Sequence, residues 1–283
     1  PVKVSSGAFP VQTVSISRAS MAIDGEGRIH ALWYLPKNAQ YYYARSNVER
    51  TQFEAQRAMV SQHTLGIDAG ADIAARGNQV AIFWGAGDLS REYERTVFTR
   101  LSGDFGETFG AELQIGNPDI GACGCCSLAG DFIDDDSLLV AYRSALAGVG
   151  RHMQMLTAQG LSDGISNAYY GETHKLQQWE ASFCPLSTND ISADSDDQLW
   201  LVFETQSRIV QLEFAEGVVP TSVAEPFTET RQKNPAIAIN GSNQRLVVWA
   251  EAISHSRGGR LNMRLFTADS SAPEVVLSEE INL

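Results

Sequence analysis

Apolar residues in this chain come in short runs, and each run is cut by a cluster of Asp, Gly or Asn. None follows a helical period. The recurring unit is a small apolar strand, a polar turn, and a second apolar strand that ends on an aromatic. It reads Ser-Met-Ala-Ile-Asp-Gly-Glu-Gly-Arg-Ile-His-Ala-Leu-Trp up to Trp33, and it returns with its aromatic at Trp84, Tyr142, Phe203 and Trp249. The aromatics are spaced by 51, 58, 61 and 46 residues. Strands repeating at such a period predict an all-β chain folded as a β-propeller of four-stranded blades.

Five blades are expected, with a sixth only if residues 1–16 and 159–180 carry further strands. The first strand of each unit carries a small residue, namely Ala22, Ala74, Ala129, Ala193 and Ala238, as an innermost strand crowded near an axis requires. The second strand is apolar on both faces, as a strand packed between two neighbouring blades must be. Tyr41–Arg45, Thr96–Arg100 and Leu261–Phe266 read as further strands. The whole chain, 1–283, is expected to form one domain.

Composition narrows the function classes. Formal net charge is −13, which argues against nucleic-acid or anionic-membrane partners, because both need basic patches. No apolar run approaches the ~20 residues that a membrane-spanning helix needs. The chain opens Pro-Val-Lys-Val with no initiator methionine, so a trimmed, exported chain is the expectation, in the periplasm or outside the cell.

Two motifs stand out from the repeat. The first is Ser102-Gly103-Asp104-Phe105-Gly106-Glu107-Thr108-Phe109, after the third strand of the second unit. Its chemistry is local: Ser102 and Asp104 bond backbone groups of the turn, Gly106 supplies a positive φ, Thr108 closes the turn, and Phe109 plugs between blades. It has the form Ser-x-Asp-x-Gly-x-Thr-Trp/Phe of the Asp-box. With the repeat, it makes most of the chain resemble the sialidase-like, Asp-box-bearing propeller superfamily. Ser46 to Phe53 looks like a decayed copy.

That resemblance implies a glycan-binding or glycan-hydrolysing protein with an arginine triad, a Tyr nucleophile with a Glu partner, and an acid/base Asp. The Arg-Ile-Pro segment that usually supplies the first arginine is missing. Arg18 and Arg231 are the remnants that could serve, Asp68 and Asp72 the acid candidates, and Tyr93 between Glu92 and Glu94 the nucleophile candidate. The plainer reading of these carboxylates is solvated loop charge.

The second motif holds all the cysteines. Cys123, Cys125 and Cys126 fall in Gly-Ala-Cys-Gly-Cys-Cys-Ser, and Cys184 falls in Phe-Cys-Pro-Leu, within one window of 62 residues. Cys-x-Cys-Cys opening one blade and Cys-Pro opening the next also resembles a subgroup of exported bacterial sialidase-like proteins. By the repeat register, the two segments precede consecutive innermost strands, so the four sulfurs converge at one mouth of the central channel.

Three chemistries remain open at this point. A blade-to-blade disulfide from Cys184 is feasible, and a turn at Gly124 could bring Cys123 to Cys126; disulfides suit an exported chain. Thiolates can instead surround a metal at about 2.3 Å. The spacing is off-pattern for structural zinc and for iron–sulfur clusters, and crowded cysteines suit Cu(I) best. Buried thiols are the third state.

His152, opening the third strand of the Cys-bearing blade beside Met153 and Met155, is the candidate additional ligand. Asp72, His63, His174 and His255, with Arg18 and Arg231, are candidates for the same channel face. Taken singly, surface histidines and core methionines are the plainer reading, and His30 is structural. Trp179 and His174 lie in a segment that could cover the site. The expected occupant is copper as Cu(I), delivered as the ion or by a metal-delivery protein.

Overall fold

The structure is a computed structural model. It describes all residues except 1, 8–16, 69, 162–170, 216, 224–229, 255–256, 268–272 and 281–283, and residues 252–254, 257–258 and 273–280 by backbone alone. The chain divides into two compact units, Pro1–Pro185 and Leu186–Leu283.

The first unit holds three four-stranded antiparallel blades, each with its strands in chain order. The first is β1 (Ser20–Ile23), β2 (Ile29–Leu35), β3 (Gln40–Arg45) and β4 (Arg57–Ala58). The second is β5 (Asp72–Arg76), β6 (Gln79–Ala86), β7 (Thr96–Ser102) and β8 (Leu113–Gln114). The third is β9 (Ala129–Asp134), β10 (Ser137–Arg143), β11 (Met153–Gln159) and β12 (Glu172–Gln177).

The second unit holds two blades of the same order. They are β13 (Asn189–Ala193), β14 (Leu199–Thr205), β15 (Arg208–Glu213) and β16 (Thr221–Ser222), then β17 (Arg231–Ile239), β18 (Arg245–Ser254), β19 (Arg257–Phe266) and β20 (Pro273–Glu280). The fold class is all-β, a β-propeller of five four-stranded blades. Residues 159–180 yield no sixth blade among the described residues, because they supply β12, the outer strand of the third.

Sequence and packing agree on why the second strand of each unit lacks alternation. Every residue of β10 is buried, as is all of β6 but its first. Phe83 and Val97 of the second blade interleave with Phe132, Leu138 and Tyr142 of the third. Tyr41 and Tyr43 of the first blade pack with Ile82 and Trp84 of the second. Fully burying each such side chain contributes about 1.5–3 kcal/mol, so the blade faces carry most of the stability. Gly130 on β9 is dictated by this packing. A Cβ there would stand 2.6 Å from Phe83 Cζ, so only glycine lets the ring close over the inner strand.

Inner strands are also clasped to one another. Asp72 Oδ2 on β5 accepts the Gly130 amide of β9 at 3.3 Å, and Asp190 Oδ2 on β13 accepts the Ile237 amide of β17 at 2.9 Å. The same device is thus present in both units.

Candidate functional site

Strands one and three of a blade run the same way, so the segments leading into them lie at one end. At that end of the first unit, three segments meet: residues 87–95 ahead of β7, 144–152 ahead of β11, and 121–128 ahead of β9.

The cysteine segment is a turn, not an extended strand. Gly124 and Cys125 form its bend, which folds Cys126 back toward Cys123. The Cys123 amide donates to Arg143 O at 2.9 Å, and the Gly124 amide to Glu92 Oε1 at 2.8 Å. A Cβ on Gly124 would stand 2.4 Å from Leu89 Cδ2, so glycine is the residue that lets the turn sit against the neighbouring blade. Cys184 arrives from the segment after β12. That segment is tied to the third blade by Arg151 N donating to Trp179 O at 2.8 Å and Ala181 N to Val149 O at 2.9 Å. The Arg143 guanidinium lies over the Trp179 ring at 4.8 Å.

All four sulfurs are thereby gathered. Cys125 and Cys184 are joined as a disulfide with their Cα atoms 6.5 Å apart. Cys123 Sγ is 3.5 Å from Cys125 Sγ and 3.1 Å from Cys126 Sγ. The ligand atoms of Cys123, Cys125 and Cys184 lie within 4.8 Å of one another. Cys123 and Cys126 are buried, Cys125 is half-buried and Cys184 exposed, so the sulfurs grade from interior to solvent.

Buried charge surrounds the cluster. Arg151 Nη2 pairs with Glu92 Oε2 at 2.6 Å, while its Nε and Nη1 have no hydrogen-bond partner among the described residues. Arg95 is buried beneath, donating to Gly66 O at 2.8 Å, Gly87 O at 2.7 Å and Ala122 O at 3.2 Å. Two guanidinium groups and one carboxylate leave a net positive charge beside the sulfurs. The adjacent Cys126 thiol and burial push the Cys123 thiol well above its ordinary range, and Arg151 pulls the other way. Burial alone would lower Arg151, but Cys123, Glu92 and Cys126 hold it above its ordinary value and charged.

The remaining candidates do not join the cluster. His152 is buried with its Nδ1 3.1 Å from the Trp179 amide, which it accepts; burial, then Lys175, lowers its pKa and keeps the ring neutral. It contributes no atom to the convergent ligand group, whose members are all cysteines. His63 stacks on Phe98 with centroids 3.9 Å apart. His174 is exposed on β12, 3.3 Å from Glu172. Asp72 is the inner-strand clasp described above. Arg18 and Arg231 are exposed, and His255 lies outside the described residues.

At the other end of the blades, Ser102 Oγ donates to Asp104 Oδ1 at 2.7 Å and accepts the Gly106 amide at 2.9 Å. Asp104 accepts the Thr108 amide at 2.9 Å and hydroxyl at 2.6 Å, and Phe109 meets the Tyr43 ring edge-on at 5.1 Å. Gly106 has φ +74°, and a side chain there would collide with the Tyr43 hydroxyl.

Glu92, Arg95 and Arg151 are the site residues that sequence reasoning missed, Glu92 having been read as a glycosidase candidate or solvated charge. A signal existed: Arg95 and Arg151 both stand just before the third strand of their blades, next to loops that must reach the cysteine turn.

No family model matches the chain, and no curated protein matches it. Solved structures do match. The leech intramolecular trans-sialidase is 9% identical with a TM-score of 0.58, over 96% of this chain and 61% of that one. A protein of unknown function from Dyadobacter fermentans is 9% identical with a TM-score of 0.57, over 88% of this chain and 76% of that one. A PL25 ulvan lyase is 10% identical with a TM-score of 0.56, over 96% and 75%. These likenesses show the fold. At such identities no activity transfers with it.

Proposed function

We propose that the protein binds a soft metal ion, Cu(I) above others, through Cys123, Cys125, Cys126 and Cys184 in their reduced state. The observation that carries this is the convergence of four sulfurs beside a buried guanidinium with unfilled donors. Sulfurs bound at about 2.3 Å to one ion stand roughly 3.7–4 Å apart. The spacings of 3.1 and 3.5 Å therefore need to open by less than about 1 Å. Thiolates are the soft donors that Cu(I) prefers. Loading replaces thiol protons with metal, which removes the thiol–thiol contact that holds Cys123 protonated. Arg151 and Arg95 offset the negative charge of the metal–thiolate centre. Cys125 and Cys184 join once an external dithiol reduces their bond, the dithiol leaving as a disulfide and its two protons passing to Cys125 and Cys184.

A disulfide of this kind suits an oxidising compartment, which supports the periplasm or the cell exterior as the working location. The implied role is metal handling, with a metal-delivery protein as partner. The rival glycan reading loses Asp72 to a strand clasp and Glu92 to Arg151 and the cysteine turn.

The test is Cu(I) titration of the fully reduced protein against a competing chromophoric Cu(I) chelator, with native mass measurement. Retention of copper that Cys125→Ser loses supports the reading. Four titratable thiols with no copper retained would sink it, and hydrolysis of sialosides or related glycosides by the same sample would favour the rival.

A further inference from the structure

The sulfurs do more than cluster: their contacts form a bent line, with Cys184 Sγ within 4.8 Å of Cys123 Sγ. From solvent inward the order is Cys184, Cys125, Cys123, Cys126, with a bond between the first two, then 3.5 Å, then 3.1 Å. The outer member is exposed and the inner two are buried. Cys123 and Cys126 are also separated by two residues, the spacing of exchange-active dithiols. We infer that this line is a thiol–disulfide relay, which moves a disulfide between the exposed Cys125–Cys184 pair and the buried Cys123–Cys126 pair and exchanges it with an external dithiol. This activity belongs to the metal-free, partly oxidised protein and does not depend on metal binding.

Each step balances within the molecule. Cys123 Sγ gives up its proton and attacks Cys125 Sγ, with the Arg151 guanidinium offsetting the negative charge that burial and the Cys126 thiol oppose. The Cys123–Cys125 bond forms, the Cys125–Cys184 bond breaks, and the electron pair leaves on Cys184, which takes up the proton that Cys123 gave up. Cys126 Sγ then attacks Cys123 Sγ. The Cys123–Cys126 bond forms, the Cys123–Cys125 bond breaks, and Cys125 leaves as thiolate and takes the proton of Cys126. One disulfide and two thiols are present before and after, so no oxidant or reductant is consumed.

The Arg151 guanidinium, buried with unfilled donors, is placed to stabilise negative charge on sulfur during transfer. At the outer end, a dithiol attacks Cys184 Sγ and Cys125 leaves as thiolate. The second thiol of the donor resolves the mixed disulfide. The donor departs oxidised, and its two protons end on Cys125 and Cys184. Exposure of Cys184 makes it the sulfur within reach of such an attack.

The experiment starts from the disulfide form, with chelator present and no reductant. The protein is held at mildly alkaline pH under argon, quenched in acid at intervals, alkylated, digested and mapped by mass spectrometry. The expected result is growth of a Cys123–Cys126 linked form at constant thiol count, at a rate independent of protein concentration. Cys126→Ser should stop at the Cys123–Cys125 form, and Cys123→Ser should stay wholly Cys125–Cys184. A wild-type sample that keeps only Cys125–Cys184, while added dithiothreitol reduces that bond readily, overturns the relay. A rate proportional to protein concentration overturns it too, because exchange would then be between molecules. Neither outcome bears on copper retention by the reduced protein.

Discussion

Two polar turns at opposite ends of the first unit teach what separates a structural motif from a site. In the Ser102–Phe109 turn each side-chain oxygen of Ser102, Asp104 and Thr108 is used inside the turn, and the aromatic is spent on the neighbouring blade. Nothing is left over for a ligand. The Cys123–Cys126 turn is equally well anchored by Arg143 O and Glu92, yet it leaves sulfurs in contact with one another beside two Arg151 nitrogens that have no partner among the described residues. Buried polar groups are nearly always satisfied, so the two unpaired nitrogens of Arg151 are the positions that the proposed metal–thiolate centre would face.

Mutation separates the two turns. The largest effect is expected for Cys125→Ser, which removes the link between the third blade and the segment after β12. It should cost the oxidised protein about 2–5 kcal/mol and abolish copper retention. Denaturant melts with and without reductant check the first part: the two proteins should converge once wild type is reduced. Asp104→Ala should cost about 1–3 kcal/mol by stranding the turn's donors, and should leave copper retention intact. Loss of copper retention in a folded Asp104→Ala protein would show that the two ends are not independent.

Arg151→Gln should keep the fold and weaken Cu(I) affinity about tenfold, equivalent to ~1.4 kcal/mol, since one of the charges facing the thiolates is gone. An unchanged affinity would remove Arg151 from the site. The Asp104 carboxyl gives a smaller, pH-dependent effect. Burial raises its pKa, but hydrogen bonds from Thr108 and Ser102 prevail and bring it to about 2 from 3.8. A depressed folded value stabilises above pH ~4 and loses that contribution as pH falls through about 2. After discounting for solvent screening this is worth about 1 kcal/mol, and Asp104→Asn should flatten the acid limb of the stability curve between those values. The smallest effect is assigned to His152→Gln: copper retention should match wild type, because the ring is committed to the Trp179 amide. A marked loss would restore it as a ligand.

Much of the fold was legible because propeller packing writes itself into composition. Alanine marks the crowded inner strand, and unbroken apolar runs such as Val80–Trp84 mark a strand covered on both faces. The register of those runs also placed Cys184 with Cys123–Cys126, since equivalent positions in consecutive blades lie side by side. Glu92, Arg95 and Arg151 were not legible as site residues. Charged residues in a loop look alike in sequence whether they face water or a neighbouring blade. Asp72 was misleading for the same reason, since its partner, the Gly130 amide, is 58 residues away.

The architecture and the meeting of four sulfurs are thus written along the chain, because periodicity and register are local and repeat. How the sulfurs meet is a matter of packing in three dimensions. The bend at Gly124 replaces the extended geometry that would hold Cys123 and Cys125 roughly 6.5–7 Å apart, and it orders the sulfurs from solvent to interior. Which charges stand beside them was also set there, because distances between blades are fixed by packing and no pattern along the chain encodes them.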